Sequence, residues 1–353
     1  MSLADEIKAD KNSYLFLSRA STAIYLTLLH EKIDSGRILV PANICYAAIY
    51  PALYAGMQVK FCDVDAKSGN VTPKLFLSSL DDSVEAAIIP HMYGNPVTGL
   101  NKISRICKEK GIILIEDCAS AMGAVTDEYE LGKMGDYVIY STGYSKTLDI
   151  GYGGILYSKR PGIENILELE EKLPFLTDDM KKSEETFSKV YRTLRNAGTD
   201  TSYSRAVFDA YKNTCRDVFL HKITKAEKEN IYLSLDRLPG IIRERREGCA
   251  LYSKLLSSSV DMPYDFSPGA VPWRYNFFVE KEHRSDIIKR SLEKSIPISD
   301  WYPPVTNMFE DTAVYPGCSA HGDAILNLPL MISKEKIIKI AEDMKVVLNA
   351  IQQ

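Results

Sequence analysis

Residues 100–117 read LNKISRICKEKGIILIED, an amphipathic segment that runs into an unbroken apolar one with only Gly111 between them. Apolar residues at helical spacing with charges interleaved predict a helix, and glycine suits its end because the residue after the last turn so often takes a left-handed backbone. Ile112 to Ile115 then predict a strand covered on both faces, since a strand with one wet face alternates apolar and polar residues. Outward from here the same unit repeats. SRASTAIYLTLLHEKI (18–33) leads to RILVP (37–41) and CYAAIYPALYAG (45–56) to VKFCDVD (59–65), while AAIIPHMY (86–93), YVIYSTG (137–143) and GGILYS (153–158) supply further apolar runs. This alternation predicts an α/β fold, a largely parallel sheet with helices on both faces.

Residues 160–220 break the rhythm. NILELEEKLPFL (165–176), DDMKKSEETFSKVYRTLRNA (178–197) and SYSRAVFDAYKNTCRDVF (202–219) are charge-rich and helix-periodic, with an interruption at Gly198-Thr199-Asp200-Thr201, and they predict a helical insertion. A long helix from Thr224 to Leu255, interrupted at Pro239-Gly240, precedes a strand in WRYNFFVE (273–280), a helix in RSDIIKRSLEK (284–294), a strand in IPIS (296–299) and a last helix from Ser333. The expected organisation is a large domain over residues 12–240, carrying the insertion, and a smaller α+β domain over 241–353.

With 43 basic residues against 47 acidic ones and no basic stripe, the chain lacks the footprint of a nucleic-acid binder. No apolar run reaches the roughly 18 residues that a membrane span needs. The start, MSLADEIKADKNSYLFLS, has no cleavable signal pattern. Cys45, Cys62, Cys107, Cys118, Cys215, Cys249 and Cys318 are odd in number and form no CxxC pair, which suits thiols in a reducing cytoplasm better than disulfides or a zinc site.

In open parallel sheets ligands gather at the carboxyl ends of strands. Four such ends converge here: IILIE gives Asp117, AAIIP gives His91, YVIY gives Ser141, and the loop after Ser141 carries Lys146 among small and hydroxylated residues. A lysine whose surroundings lower its pKa attacks carbonyls, and an aldehyde cofactor exploits this through a Schiff base. Pyridoxal phosphate also needs a carboxylate against its ring nitrogen, to keep that nitrogen protonated. Asp117 suits that role, and Ser21-Thr22, opening the first long helix, with Ser141 suit the phosphate.

The stretches VPANICYAAIYPALYAGMQVKFCDVD, IIPHMYGNPVTGLNKI, LIEDCASAMGA, GDYVIYSTGYSKTLDIGYGG, WYPPV and LNLPL make the chain resemble the DegT/DnrJ/EryC1/StrS family of pyridoxal-phosphate aminotransferases, of the aspartate aminotransferase fold (fold type I). The resemblance runs from about Ser18 to the C terminus, outside the insertion. It implies a mostly parallel seven-stranded sheet in the large domain. Position by position, it makes Lys146 the Schiff-base lysine, Asp117 the partner of the pyridine nitrogen, Ser141 a phosphate contact, and Ser21 and Thr22 the helix start that receives the phosphate.

Departures from the family pattern are equally specific. Ser120 stands where glutamine or histidine is usual near the cofactor's ring hydroxyl. Cys45 holds the place of a stacking aromatic, so that Tyr46 or the thiol is expected to compensate, and Tyr152 replaces the glutamate of GEGG. At Leu220-His221-Lys222 the family commonly shows asparagine, an aromatic and arginine, and only Lys222 keeps a basic character. Fewer residues precede Ser18 than is usual for the segment that helps form a nucleotide-sugar site.

The resemblance implies an aminotransferase that takes an amino group from a donor such as glutamate. The acceptor would be a keto compound, by analogy a nucleotide-linked keto-sugar of amino-sugar or cell-surface polysaccharide biosynthesis. It further implies a homodimer with shared active sites. Two other readings stand beside it. A pyridoxal-phosphate lyase or dehydratase is one, although relatives that deoxygenate sugars typically carry histidine in place of the lysine. A binding module without turnover is the other, motivated by positions 45, 120, 152 and 220.

Overall fold

The computed structural model describes residues 2–10, 12–197, 206–207, 209–210, 212–309 and 314–351. The interruption expected at Gly198-Thr199-Asp200-Thr201 lies outside the described residues. Seven strands form one sheet: β1 Tyr14–Leu17, β2 Arg37–Pro41, β3 Gln58–Cys62, β4 Val84–Pro90, β5 Ile113–Asp117, β6 Tyr137–Ser141 and β7 Gly154–Ser158. Their order is β1-β7-β6-β5-β4-β2-β3. β3, β2, β4, β5 and β6 run parallel, β7 is antiparallel to β6, and β1 is antiparallel to β7.

The apolar runs lie where their composition requires, between two helical layers. Successive side chains of a strand face opposite ways. Accordingly Ile139 and Leu156 enter one core with Ile24 and Leu28, while Val138, Tyr140 and Ile155 enter a second with Ile231, Leu235 and Leu238. Helix Leu100–Lys110 buries Leu100, Ile103 and Cys107 and ends at Gly111, left-handed at φ +70. Within the insertion, helices Ile163–Glu170, Asp178–Ala197 and Arg216–Phe219 are present.

Three further strands, β8 Met262–Pro263, β9 Tyr275–Phe278 and β10 Ile325–Leu328, make an antiparallel sheet in the order β10-β9-β8. Its core joins Tyr252, Phe277, Leu326, Ile337 and Met344. The expected strand at 296–299 is a single bridge from Ser299 to Asn327. The long helix breaks earlier than expected: helix Lys225–Ser234 gives way to a 3₁₀ turn at Leu235–Arg237, and a new helix covers Leu238–Leu256. Pro239 fits inside it because N–H groups of a first turn have no helical partner to lose. That helix buries Leu238 and Ile241 in one core and Cys249, Tyr252 and Leu256 in another, so the expected division between 240 and 241 falls within a continuous element.

His321, on helix Pro316–Ala324, ties this region to the large sheet. Its Nδ1–H donates to the Ala66 carbonyl and its Nε2 accepts from the Tyr93 hydroxyl, both at 2.9 Å. Burial pushes its pKa down to about 4. The native state then binds fewer protons than the unfolded chain between the ordinary value of 6.5 and about 4, so stability falls as pH falls through that window. At about 1.4 kcal/mol per pH unit, wild type is expected to lose roughly 3 kcal/mol more than His321→Gln between pH 7 and 4, read from urea unfolding. Equal losses in the two proteins would exclude the buried imidazole as the cause.

Candidate active site

A cavity of about 370 Å³ opens at the carboxyl ends of β5 and β6. Asp117, Ser141 and Lys146 bound it from the strand ends and the following loop, Ser21 from the start of helix Ala20–His30, and Cys45 from just ahead of helix Tyr46–Tyr54. The place is the crevice that a parallel sheet leaves at its strand ends, and the volume is that of a small-molecule site.

The loop from β6 to β7 holds Lys146 by its backbone. Ser145, immediately before it, is left-handed at φ +62, a conformation that costs roughly 1–3 kcal/mol and persists where the surroundings impose it. Asp149 Oδ2 accepts from the Ser145 N–H at 2.7 Å, and the Trp273 indole N–H donates to the Ser145 carbonyl at 2.5 Å. Arg245, buried on helix Leu238–Leu256, donates to the Lys146 carbonyl at 2.8 Å and to the Trp273 carbonyl at 2.7 Å. The loop returns through Gly153, where φ is +100 and any Cβ would lie 2.2 Å from Thr142 Oγ1. Tyr152, also on the cavity wall, accepts a 2.6 Å hydrogen bond from Asn230 Nδ2.

Lys146 Nζ lies 3.5 Å from the Ser120 hydroxyl, which also hydrogen-bonds the Tyr302 phenol. Burial pulls the Lys146 pKa down, but Tyr302, Cys45 and Asp117 outweigh it, so the amine sits above its ordinary value. Burial pushes the Tyr302 phenol and the Cys45 thiol up as well, and Asp117 is the carboxylate among the three. Burial raises the Asp117 pKa against the opposing charge of Lys146. Its Oδ1 accepts from the Ala119 N–H at 2.8 Å.

Behind Asp117 the chain is locked by its neighbour Glu116, fully buried. Oε1 accepts from Gly132 N–H at 2.7 Å and from His91 at 3.1 Å, and Oε2 accepts from Met134 and Gly135 N–H at 2.7 and 3.1 Å. His91 Nδ1 accepts from the Val97 N–H at 3.0 Å, so its proton is on Nε2 and points at Glu116. Burial acts to raise the Glu116 pKa, but His91 and the loop N–H groups outweigh it and hold it below the usual carboxylate value. His91, Glu116 and Cys118 are also close enough together to suggest metal ligands. The imidazole and carboxylate are engaged with each other and with the backbone, and burial holds the Cys118 thiol well above its ordinary value.

The structure therefore sorts the expected site residues. Lys146, Asp117, Ser141, Ser21 and Cys45 line one cavity, and Ser120 touches the lysine. Five expected cofactor contacts are not on that wall, Ser120 among them. Thr22 is fully buried and donates to the Phe219 carbonyl at 2.9 Å. His91 supports Glu116 instead of facing the cavity. Tyr46 turns its ring into Phe187 and Tyr191, at 5.3 and 4.8 Å between centroids, because the insertion helix offers an apolar surface there; the wall at this point is the Cys45 thiol. Lys222 pairs with Glu171 at 3.1 Å and lies over the Phe175 ring. Sequence reasoning missed Tyr302, Arg245 and Trp273, which reach the lysine's surroundings from the C-terminal third. WYPPV marked the first of them by resemblance, whereas a buried arginine on a charge-rich helix has no local signal.

A sequence model of the DegT/DnrJ/EryC1/StrS aminotransferase family matches residues 9–345. The dTDP-4-dehydro-2,3,6-trideoxy-D-glucose 4-aminotransferase of Saccharopolyspora spinosa is 27% identical over 315 residues, covering 86% of this chain and 74% of that protein. Among solved structures, the aminotransferase TlmJ from Streptoalloteichus hindustanus matches with a TM-score of 0.75 at 20% identity, over 99% of this chain and 90% of that one. NtdA from Bacillus subtilis, solved with bound cofactor PMP, gives a TM-score of 0.72 at 15% identity, over 98% of this chain and 77% of that one. At these identities the structural likeness establishes the fold, and it bears out the expected one.

Proposed function

Because this chain belongs to the DegT/DnrJ/EryC1/StrS aminotransferase family, we propose that it moves an amino group from a donor such as glutamate to a keto-sugar, nucleotide-linked, in amino-sugar biosynthesis. The observation that carries this reading is that Lys146 and Asp117 bound one cavity of small-molecule size. The residues present fit pyridoxal phosphate. Asp117 offers a buried carboxylate for a protonated ring nitrogen, Ser21 and Ser141 offer hydroxyls to a phosphate, and Lys146 offers an amine to an aldehyde. When bound, the cofactor supplies an electron sink for the carbon next to a substrate amine. With Asp117 holding a protonated ring nitrogen, Lys146 would lose one of the groups that raise its pKa, and desolvation would favour the neutral amine that carbonyl chemistry needs. The same Nζ is placed to take and return a substrate proton as general base and acid. Ser120 and Tyr302 orient it.

Purified protein is expected to absorb in the visible and to lose that band on adding glutamate, gaining it back with a keto acceptor. A colourless protein that binds no pyridoxal phosphate would overturn the reading. Asp117→Asn is expected to slow the glutamate half-reaction about a hundred- to ten-thousandfold while cofactor still binds, as measured by stopped-flow absorbance.

A homodimer with shared sites is part of this proposal, supported by Tyr144, which is 85% exposed where it lines the cavity. So is a cytoplasmic location, supported by seven free thiols. Among the described residues no helix is long and apolar enough to cross a membrane.

A further inference from the structure

Among the described residues, the insertion contributes one charged side chain to the cavity wall. Glu184, on helix Asp178–Ala197, lies there opposite Arg19, the residue that precedes helix Ala20–His30, and both side chains line the same cavity as Lys146 and Asp117. Their contact is a fork: Arg19 Nη1 donates to Glu184 Oε1 and Nη2 to Oε2, each at 2.8 Å. This is the planar, two-pronged geometry by which guanidinium recognises carboxylate and phosphate in general. Both groups keep partial access to solvent, 28% for Arg19 and 37% for Glu184, so the pair is reachable by a ligand and weak enough to exchange.

An aminotransferase cavity has to receive oxyanions, and the guanidinium best shaped to hold one is already holding a carboxylate of its own chain. We infer that Glu184 is an internal stand-in for an oxyanion ligand: it occupies Arg19 until the ligand's oxyanion takes its place. Glu184 then sets which anions enter, because each must displace a tethered competitor of like charge whose effective concentration is high. The inference rests on the proposed activity only for the source of the oxyanion, either the cofactor's phosphate or the donor's carboxylate. Glu184 is thereby a specificity-determining residue supplied by helix Asp178–Ala197.

The test is calorimetric titration of the full chain, freed of cofactor, with inorganic phosphate and separately with glutarate. The proteins are wild type, Glu184→Gln, Arg19→Gln and the double variant. Removing the competing carboxylate is expected to tighten one probe about three- to tenfold, the range of a partly exposed forked pair. Arg19→Gln is expected to weaken the same probe, and in its background Glu184→Gln should give no gain. A gain for phosphate identifies the cofactor's phosphate as the ligand, and a gain for glutarate identifies the donor's carboxylate. The inference is overturned if Glu184→Gln changes neither probe by more than about twofold, the lower end of what such a pair yields. It is also overturned if the gain survives loss of Arg19, which marks a general charge effect. Glu184→Ala serves in the same titrations should the glutamine variant melt early. Failure of wild type to bind pyridoxal phosphate sinks the proposed function and leaves these titrations fully decisive.

Discussion

Lys146→Ala is expected to lower the glutamate half-reaction by at least about ten-thousandfold, the scale on which loss of a covalent catalytic group is felt. The reason is positional as well as chemical. The loop spends backbone strain at Ser145 and uses Asp149, Trp273 and Arg245 to set the lysine's backbone, and among the described residues no other lysine lines the cavity. An exogenous amine restores part of the proton transfer but not the intramolecular placement. Single-turnover absorbance with glutamate measures the loss. Persistence of the half-reaction in a variant that folds normally removes Lys146 from the chemistry, whatever the family resemblance.

Glu116→Ala is expected to destabilise the protein by about 3–5 kcal/mol, the cost of removing one partner from a buried charged network. Five donors end on this carboxylate: His91, the Cys118 thiol and the N–H groups of Gly132, Met134 and Gly135. Truncation leaves them unpaired in the buried interior, and an unmet buried donor costs more than a made bond contributes. Glu116→Gln keeps an acceptor and is expected to lose less. Because the folded-state pKa lies below the ordinary 4.5, the carboxylate's share of stability is present above that pH and fades as pH falls through the folded value. Urea unfolding of both variants at neutral and mildly acid pH measures it. A loss in the alanine variant no larger than that of a surface substitution would show that the loop over residues 132–135 does not depend on Glu116. The same carboxylate stands one residue from Asp117, so the variant is also expected to blur the placement of the cavity's acid.

Much of the site was legible before any coordinate because it is written at strand ends. A strand's last residue emerges at the sheet's carboxyl edge whatever the rest of the chain does, and Asp117, Ser141 and the Lys146 loop follow from β5 and β6 directly. Tyr46 and Cys45 show the limit of this logic. Adjacent residues at a helix start point in different directions, and which of them faced the cavity depended on an apolar surface offered by Phe187 and Tyr191, more than 140 positions away. His91 shows another limit. It lies at a strand end like Asp117, yet Val97 and Glu116 claim both of its nitrogens.

The sequence by itself determined the α/β layering, the strand carrying Asp117 and the loop carrying Lys146, because apolar periodicity is a local property that fixes which faces must leave water. Only the tertiary structure decided that Arg245 and Trp273 clamp the lysine's loop, that Tyr302 stands beside it, and that Glu184 occupies Arg19. Those contacts join residues between 99 and 165 positions apart. Such pairings leave no periodic trace in a chain; they exist once burial has brought separate elements to one place and each polar group has taken the partner left within reach.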